Sequence, residues 1–135
     1  MNRGEVFADT SALYALLVEN DDMHQSARNA LSVVEAEGWS LVTTSFVLQE
    51  TAALLAARVG LEAVRRFHRS VVPVLEVVWV ERRLYDRAMA AHLASGSARV
   101  SLTDWASFEL MRDRSIQLAL AFDRHFEEQG FELVT

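Results

Sequence analysis

The chain has no cysteine and, among its 13 basic residues, no lysine, so that every one of them is arginine. The first absence removes disulfides, thiolate zinc sites and cysteine nucleophiles, and the second removes a Walker phosphate loop and a lysine Schiff base. Oxygen and imidazole chemistry remain. No apolar run approaches the roughly 20 residues of a membrane helix, since the stretch Val71 to Val80 is interrupted by Pro73 and Glu76. The amino terminus carries Arg3 and Glu5 ahead of a short apolar stretch. It lacks the long apolar region and small-residue cleavage site of a secretory signal, so a cytoplasmic location is expected. His24, His68, His92 and His125 are scattered, with no H-E-x-x-H or other close ligand spacing, which argues against a zinc hydrolase.

What is present describes a folded domain. A length of 135 residues, 51% hydrophobic and 24% charged, suffices for one core and is too short for two, so a single domain over residues 1–135 is expected. The net charge of -6 opposes nucleic-acid binding through a broad basic surface. Two regions do gather arginine, one with Arg58, Arg65, Arg66 and Arg69, the other with Arg82, Arg83 and Arg87. Both read first as solvated helix faces.

Along the chain, the apolar run Glu5 to Ala8 stops at Asp9, and Ser11 to Val18 then reads as helix. Asp22 and Gln25 have capping-box spacing before a helix from Met23 to Glu37, which Gly38 closes. A short β-branched strand, Ser40 to Thr44, leads into a helix over Ser45 to Arg58. Further helices are expected over Glu62 to Ser70, Glu81 to Ala94 and Leu102 to Arg114. Strands are expected over Val74 to Val80, Gln117 to Phe122 and Phe131 to Val134, with a short turn ending at Gly130 before the last. Such alternation predicts an α/β domain with a central, mainly parallel sheet flanked by helices.

The acids carry the chemical information. Asp9 and Asp123 each follow a strand, and ligands of open parallel sheets bind at the carboxyl edge, where both would lie. Each is also suited to cap the helix or turn that follows. Helical spacing puts Glu50 on one face with Phe46, Val47, Ala53, Leu54 and Ala57, an apolar stripe. A carboxylate there needs a metal, a shifted pKa or an arginine partner. Asp104 completes Ser101-Leu-Thr-Asp104, a capping box, while the following face carries Ser107, Phe108 and Met111.

Taken together, Phe7-Ala-Asp-Thr-Ser-Ala-Leu13, Thr44-Ser-Phe-Val-Leu-Gln-Glu-Thr51, Ser101-Leu-Thr-Asp104 and Ala121-Phe-Asp-Arg-His-Phe126 with Gly130-Phe131 resemble the motifs of PIN-domain proteins. The likeness covers nearly the whole chain and is nearest to the toxin ribonucleases of VapBC toxin–antitoxin pairs. It implies a PIN-like fold in which Asp9, Glu50, Asp104 and Asp123 form a metal-binding, catalytic acid cluster, supported by Ser11 and Thr103. It further implies a Mg²⁺- or Mn²⁺-dependent endoribonuclease that leaves a 5′-phosphate and a 3′-hydroxyl, a small antitoxin partner and a homodimer. The donor chemistry agrees, because hard divalent cations prefer carboxylate and water oxygens. One departure from the pattern is Trp105, where a smaller residue is expected after the third acid.

Other readings fit less well. A phosphatase using Asp9 as nucleophile on a similar sheet would carry a second acid where this chain has Ser11, and a receiver domain would need lysine. A flap-type DNA nuclease needs helical elements for which the chain is too short. A non-catalytic interaction protein of the same fold is opposed by the intact set of acids. An apolar groove including Leu13, Leu16, Leu17 and the stretch Ala52 to Ala57 would suit a partner helix, although such residues are ordinarily core. His125 is close enough in sequence to reach the site but is read as packing or capping, and Trp39 and Trp79 are read as core.

Overall fold

The computed structural model describes residues 2–134. Five strands, β1 (Asn2–Ala8), β2 (Ser40–Thr44), β3 (Leu75–Val78), β4 (Ile116–Leu120) and β5 (Glu132–Leu133), form one sheet in the order β3-β2-β1-β4-β5. All four strand pairings are parallel. The expected mainly parallel sheet is therefore wholly parallel, and every strand presents its carboxyl end to the same edge.

Helices α1 (Thr10–Leu17), α2 (His24–Glu37), α3 (Ser45–Arg58), α4 (Leu61–Arg66), α5 (Arg82–Ala94), α6 (Leu102–Arg114) and α7 (Arg124–Glu128) connect the strands. Side-chain caps start three of those that matter here. Thr44 accepts the N–H of Val47 at α3, Ser101 accepts the N–H of Asp104 at α6, and Asp9 accepts the N–H of Ser11 at α1. Each satisfies an amide that the helix itself leaves unpaired. Gly38 ends α2 in the left-handed conformation expected of it, at φ 70°.

Some boundaries differ from the sequence expectation. Asp21, rather than Asp22, accepts the N–H of Met23, and α2 begins at His24. The helix expected over 62–70 is α4 followed by a π-helical turn, Phe67–Val71, and a 3₁₀ turn, Val72–Val74. Pro73 has no N–H to continue an α-helical ladder, which accounts for the tightening at its end. The segment read as a turn before Gly130 contains the short helix α7, capped by Asp123.

Two apolar clusters fill the interior. The larger includes Phe7, Phe108, Phe126 and Phe131, whose rings meet at centroid distances of 5.0–6.5 Å. The smaller includes Val6, Ala30, Val34 and Leu120, with Trp39 packed on it. Trp105 is accommodated edge-on against Phe108 at 5.5 Å, so the departure from the family pattern joins the aromatic cluster. Trp79 contradicts expectation, because it is 69% exposed rather than core. It lies just past the end of β3, where the chain leaves the sheet and no layer covers it. No described helix is long and apolar enough to cross a membrane.

Candidate metal centre

The site begins where β1 and β4 end side by side. The N–H of Asp9 donates to the carbonyl of Leu120 at 3.0 Å, extending the strand pairing by one bond. That placement brings Asp9 and Asp123 to the same edge, each at the start of the helix that follows. Asp9 Oδ2 accepts both the backbone N–H of Ser11 at 3.2 Å and its hydroxyl at 2.7 Å. Ser11 Oγ in turn accepts the N–H of Phe122 at 3.0 Å. A hydroxyl that donates to one strand end and accepts from the other fixes the spacing between them.

Asp9 is 3% exposed, and its other oxygen, Oδ1, is buried with no hydrogen-bond partner among the described residues. Burial is the main reason that its pKa is raised to about 6; the Ser11 bonds oppose the rise, and Asp123 and Glu50 add to it. Asp104 is 7% exposed. Its pKa is raised to about 7, chiefly by burial and then by Asp9, Asp123 and Glu50, with His125 acting in the opposite direction. No arginine is among the principal charges acting on either group.

The choice between capping and ligand binding is not exclusive. Asp9 caps with Oδ2 and leaves Oδ1 free, whereas Asp123 caps with Oδ1, which accepts the N–H of His125 at 2.8 Å. At α6 only half of a capping box forms. Ser101 Oγ accepts the Asp104 N–H at 3.1 Å, but among the described residues the Ser101 N–H does not donate back to the Asp104 carboxylate. The carboxylate is left to face the other acids.

Glu50 reaches the cluster by a different route from the one its spacing suggests. The buried stripe of α3 is Val47, Thr51 and Leu55, not the face containing Ala53 and Ala57, both of which are exposed. Glu50 lies beside that stripe, half-buried, and acts on both Asp9 and Asp104. Thr103 contributes its carbonyl to the Ser107 hydroxyl at 2.9 Å, while its own hydroxyl has no hydrogen bond among the described residues.

His125 belongs to the same place. Ligand atoms of Asp104, Asp123 and His125 all lie within 4.8 Å of one another. No close His-x-x-His spacing announces it; the signal available in sequence is its position two residues after a strand-end aspartate, on the first turn of a helix that returns the ring toward its own cap. The donor set is thus carboxylate oxygens with one imidazole. A buried orphan oxygen on Asp9, mutual repulsion among the acids and the lack of an arginine partner for them among the described residues together fit a divalent cation.

Several of the arginines form ordinary surface pairs. Arg65 meets Glu62, Arg82 meets Asp86, and Arg87 meets Glu109 and Asp113, all on helix surfaces. Arg114 bridges Glu5 and Glu76. An apolar groove of about 330 Å³ is lined by Leu13, Leu16, Leu17, Leu31, Val71 and Val74, among others. Three of the leucines expected there are present, but the far wall comes from α2 and the turns after α4 rather than from residues 52–57.

Comparison with known proteins gives a consistent pattern. The PIN domain family model matches residues 6–132. The chain is 32% identical to the 23S rRNA-specific endonuclease VapC20 of Mycobacterium tuberculosis, across 93% of this chain and 95% of that protein. The crystal structure of M. tuberculosis VapC20, described as a sarcin-ricin loop cleaving toxin, superposes with a TM-score of 0.81 at 31% identity over 93% of this chain and 95% of the other. VapBC2 from Rickettsia felis, crystallised with a promoter DNA fragment, shares the fold at a TM-score of 0.69 and 14% identity, covering 96% of both chains.

Proposed function

Since the chain belongs to the PIN-domain family, we propose that it is a divalent-metal-dependent endoribonuclease acting as the toxin of a toxin–antitoxin pair, with structured ribosomal RNA as its substrate. The observation that carries the chemistry is a set of four carboxylates in which Asp9 and Asp104 are buried and hold protons more tightly than usual, with no arginine among the described residues as a principal charge acting on either. The relationship to VapC20 supports RNA as the substrate class and the large ribosomal RNA as the first molecule to test.

Asp9, Asp104 and Asp123 would hold the ion, Mg²⁺ or Mn²⁺, with Glu50 near enough to act electrostatically on Asp9 and Asp104. A divalent ion in that position supplies charge neutralisation at the scissile phosphate and acidity to an attacking water. Glu50, half-buried and acting electrostatically on both Asp9 and Asp104, would accept a proton from that water. Ser11 keeps Asp9 in one rotamer and holds the two strand ends in register. The net charge of -6 does not oppose this role once the pocket is neutralised, and arginines elsewhere can grip the RNA backbone.

The groove between α1, α2 and the turns after α4 supports an antitoxin partner, because an apolar channel bounded by Arg28 and Glu35 suits an amphipathic helix. Two copies of the chain would form the working toxin, as the family resemblance implies, and its place of action would be the cytoplasm. The test is cleavage of ribosomal RNA by the purified chain, with defined ends, in the presence of Mn²⁺ or Mg²⁺. Cleavage should stop with EDTA and in Asp9→Asn; cleavage that survives both overturns the mechanism.

A further inference from the structure

We infer that His125 is a nitrogen ligand of this metal centre and that it biases the centre toward Mn²⁺ over Mg²⁺. The inference rests on the proposed metal dependence and adds a donor that the four acids do not supply.

Three observations place the imidazole there. Its side chain is only 17% exposed, so most of the ring is packed against the protein. Nδ1 lies 3.1 Å from Glu128 Oε1, and Nε2 lies 3.5 Å from Asp123 Oδ1. The Glu128 carboxylate at Nδ1 orients the ring so that Nε2 lies toward Asp123, the arrangement that outer carboxylates give to metal-bound histidines. The ring nitrogen and the carboxylates of Asp104 and Asp123 then fall within 4.8 Å of one another, a span a single ion can bridge.

The acid cluster alone would not make this case. Asp9 supplies independent support, since it is almost completely buried and its Oδ1 has no partner among the described residues, while its charge is felt by Asp104. Asp123 offers a second oxygen after Oδ1 has capped the N–H of His125. An all-oxygen set suits Mg²⁺, which loses its waters reluctantly; an imidazole nitrogen favours transition ions, of which Mn²⁺ best tolerates a carboxylate-rich site.

Pulsed EPR of the purified full chain loaded with Mn²⁺ tests the ligand directly. The native protein should show the nitrogen modulation of a coordinated imidazole, and His125→Phe, which keeps an aromatic ring for packing, should abolish it. The same substitution should weaken Mn²⁺ binding by about tenfold and Mg²⁺ binding by less than about threefold. His125→Asp should bind Mn²⁺ without the nitrogen signal, which guards against a folding defect in the Phe variant. Mn²⁺ bound without imidazole modulation in the native chain overturns the ligand assignment and leaves the nuclease proposal standing. A chain that binds no Mn²⁺ overturns both.

Discussion

Ser11 donates its hydroxyl hydrogen to Asp9 Oδ2 across 2.7 Å while its own Oγ accepts the N–H of Phe122, so one small side chain spans the ends of two adjacent parallel strands. The Asp9 carboxylate is thereby aimed by the protein's own hydrogen bonds.

Ser11→Ala should therefore weaken metal binding more than folding. The backbone N–H of residue 11 still donates to Asp9 Oδ2, so the loss of stability should be about 1–2 kcal/mol. Mn²⁺ affinity should fall by roughly tenfold or more, as when an orienting bond to a ligand is removed. Urea denaturation and calorimetric titration of the same sample separate the two effects.

The raised pKa values of Asp9, about 6, and Asp104, about 7, predict how the metal-free protein responds to pH. Both groups bind protons more tightly in the folded chain than in the unfolded one, where the ordinary value is 3.8. Their contribution to stability is complete below about pH 4 and is lost as pH rises toward 7. A tenfold change in proton affinity is worth about 1.4 kcal/mol, so by pH 8 the two together should cost the metal-free protein a few kcal/mol. Asp9→Asn with Asp104→Asn should flatten that slope, and saturating Mn²⁺ should reverse it in the native protein. Urea midpoints measured over about pH 4.5 to 8, with and without metal, check the sign.

Much of the fold is legible in the sequence because the elements are punctuated by chemistry. Helix α6 falls where Ser101 and the apolar face from Ser107 to Met111 place it, and Gly38 stops α2. What spacing does not show is decided by tertiary packing. A helical wheel assigns Glu50 to the wrong stripe because Ala53, Leu54 and Ala57 look inward-facing, whereas the stripe that is buried in the fold is Val47, Thr51 and Leu55. Trp79 reads as core from its apolar neighbours, yet the chain at that point has left the sheet. His125 is hard to weigh in sequence because the ring returns to the acids only through the short helix α7, whose five polar and aromatic residues read as a turn.

The aromatic cluster behind the site should set its rigidity. Phe108 is fully buried and contacts Trp105, Phe126 and Phe131. Phe108→Ala should destabilise the protein by about 3–5 kcal/mol, through lost burial and the cavity left behind. Phe108→Leu should cost substantially less. Thermal unfolding of the two variants provides the comparison.

The groove and the metal centre should separate under mutation. Val74 is 68% exposed on the groove wall, so Val74→Arg should cost folding less than about 0.5 kcal/mol. It should reduce affinity for a cognate antitoxin by at least about tenfold while leaving RNA cleavage intact. Binding by calorimetry beside a cleavage assay tests that separation, and equal loss of both activities would contradict it.

Whether Asp9, Asp104 and Asp123 form a metal centre rather than a set of helix caps is decided most directly by crystals of the chain soaked in Mn²⁺ and measured for anomalous scattering. The expected result is a peak bounded by the free oxygen of Asp9 and the carboxylates of Asp104 and Asp123. A fully soaked crystal with no peak among these residues, and with their carboxylates turned apart, would contradict a metal-dependent mechanism.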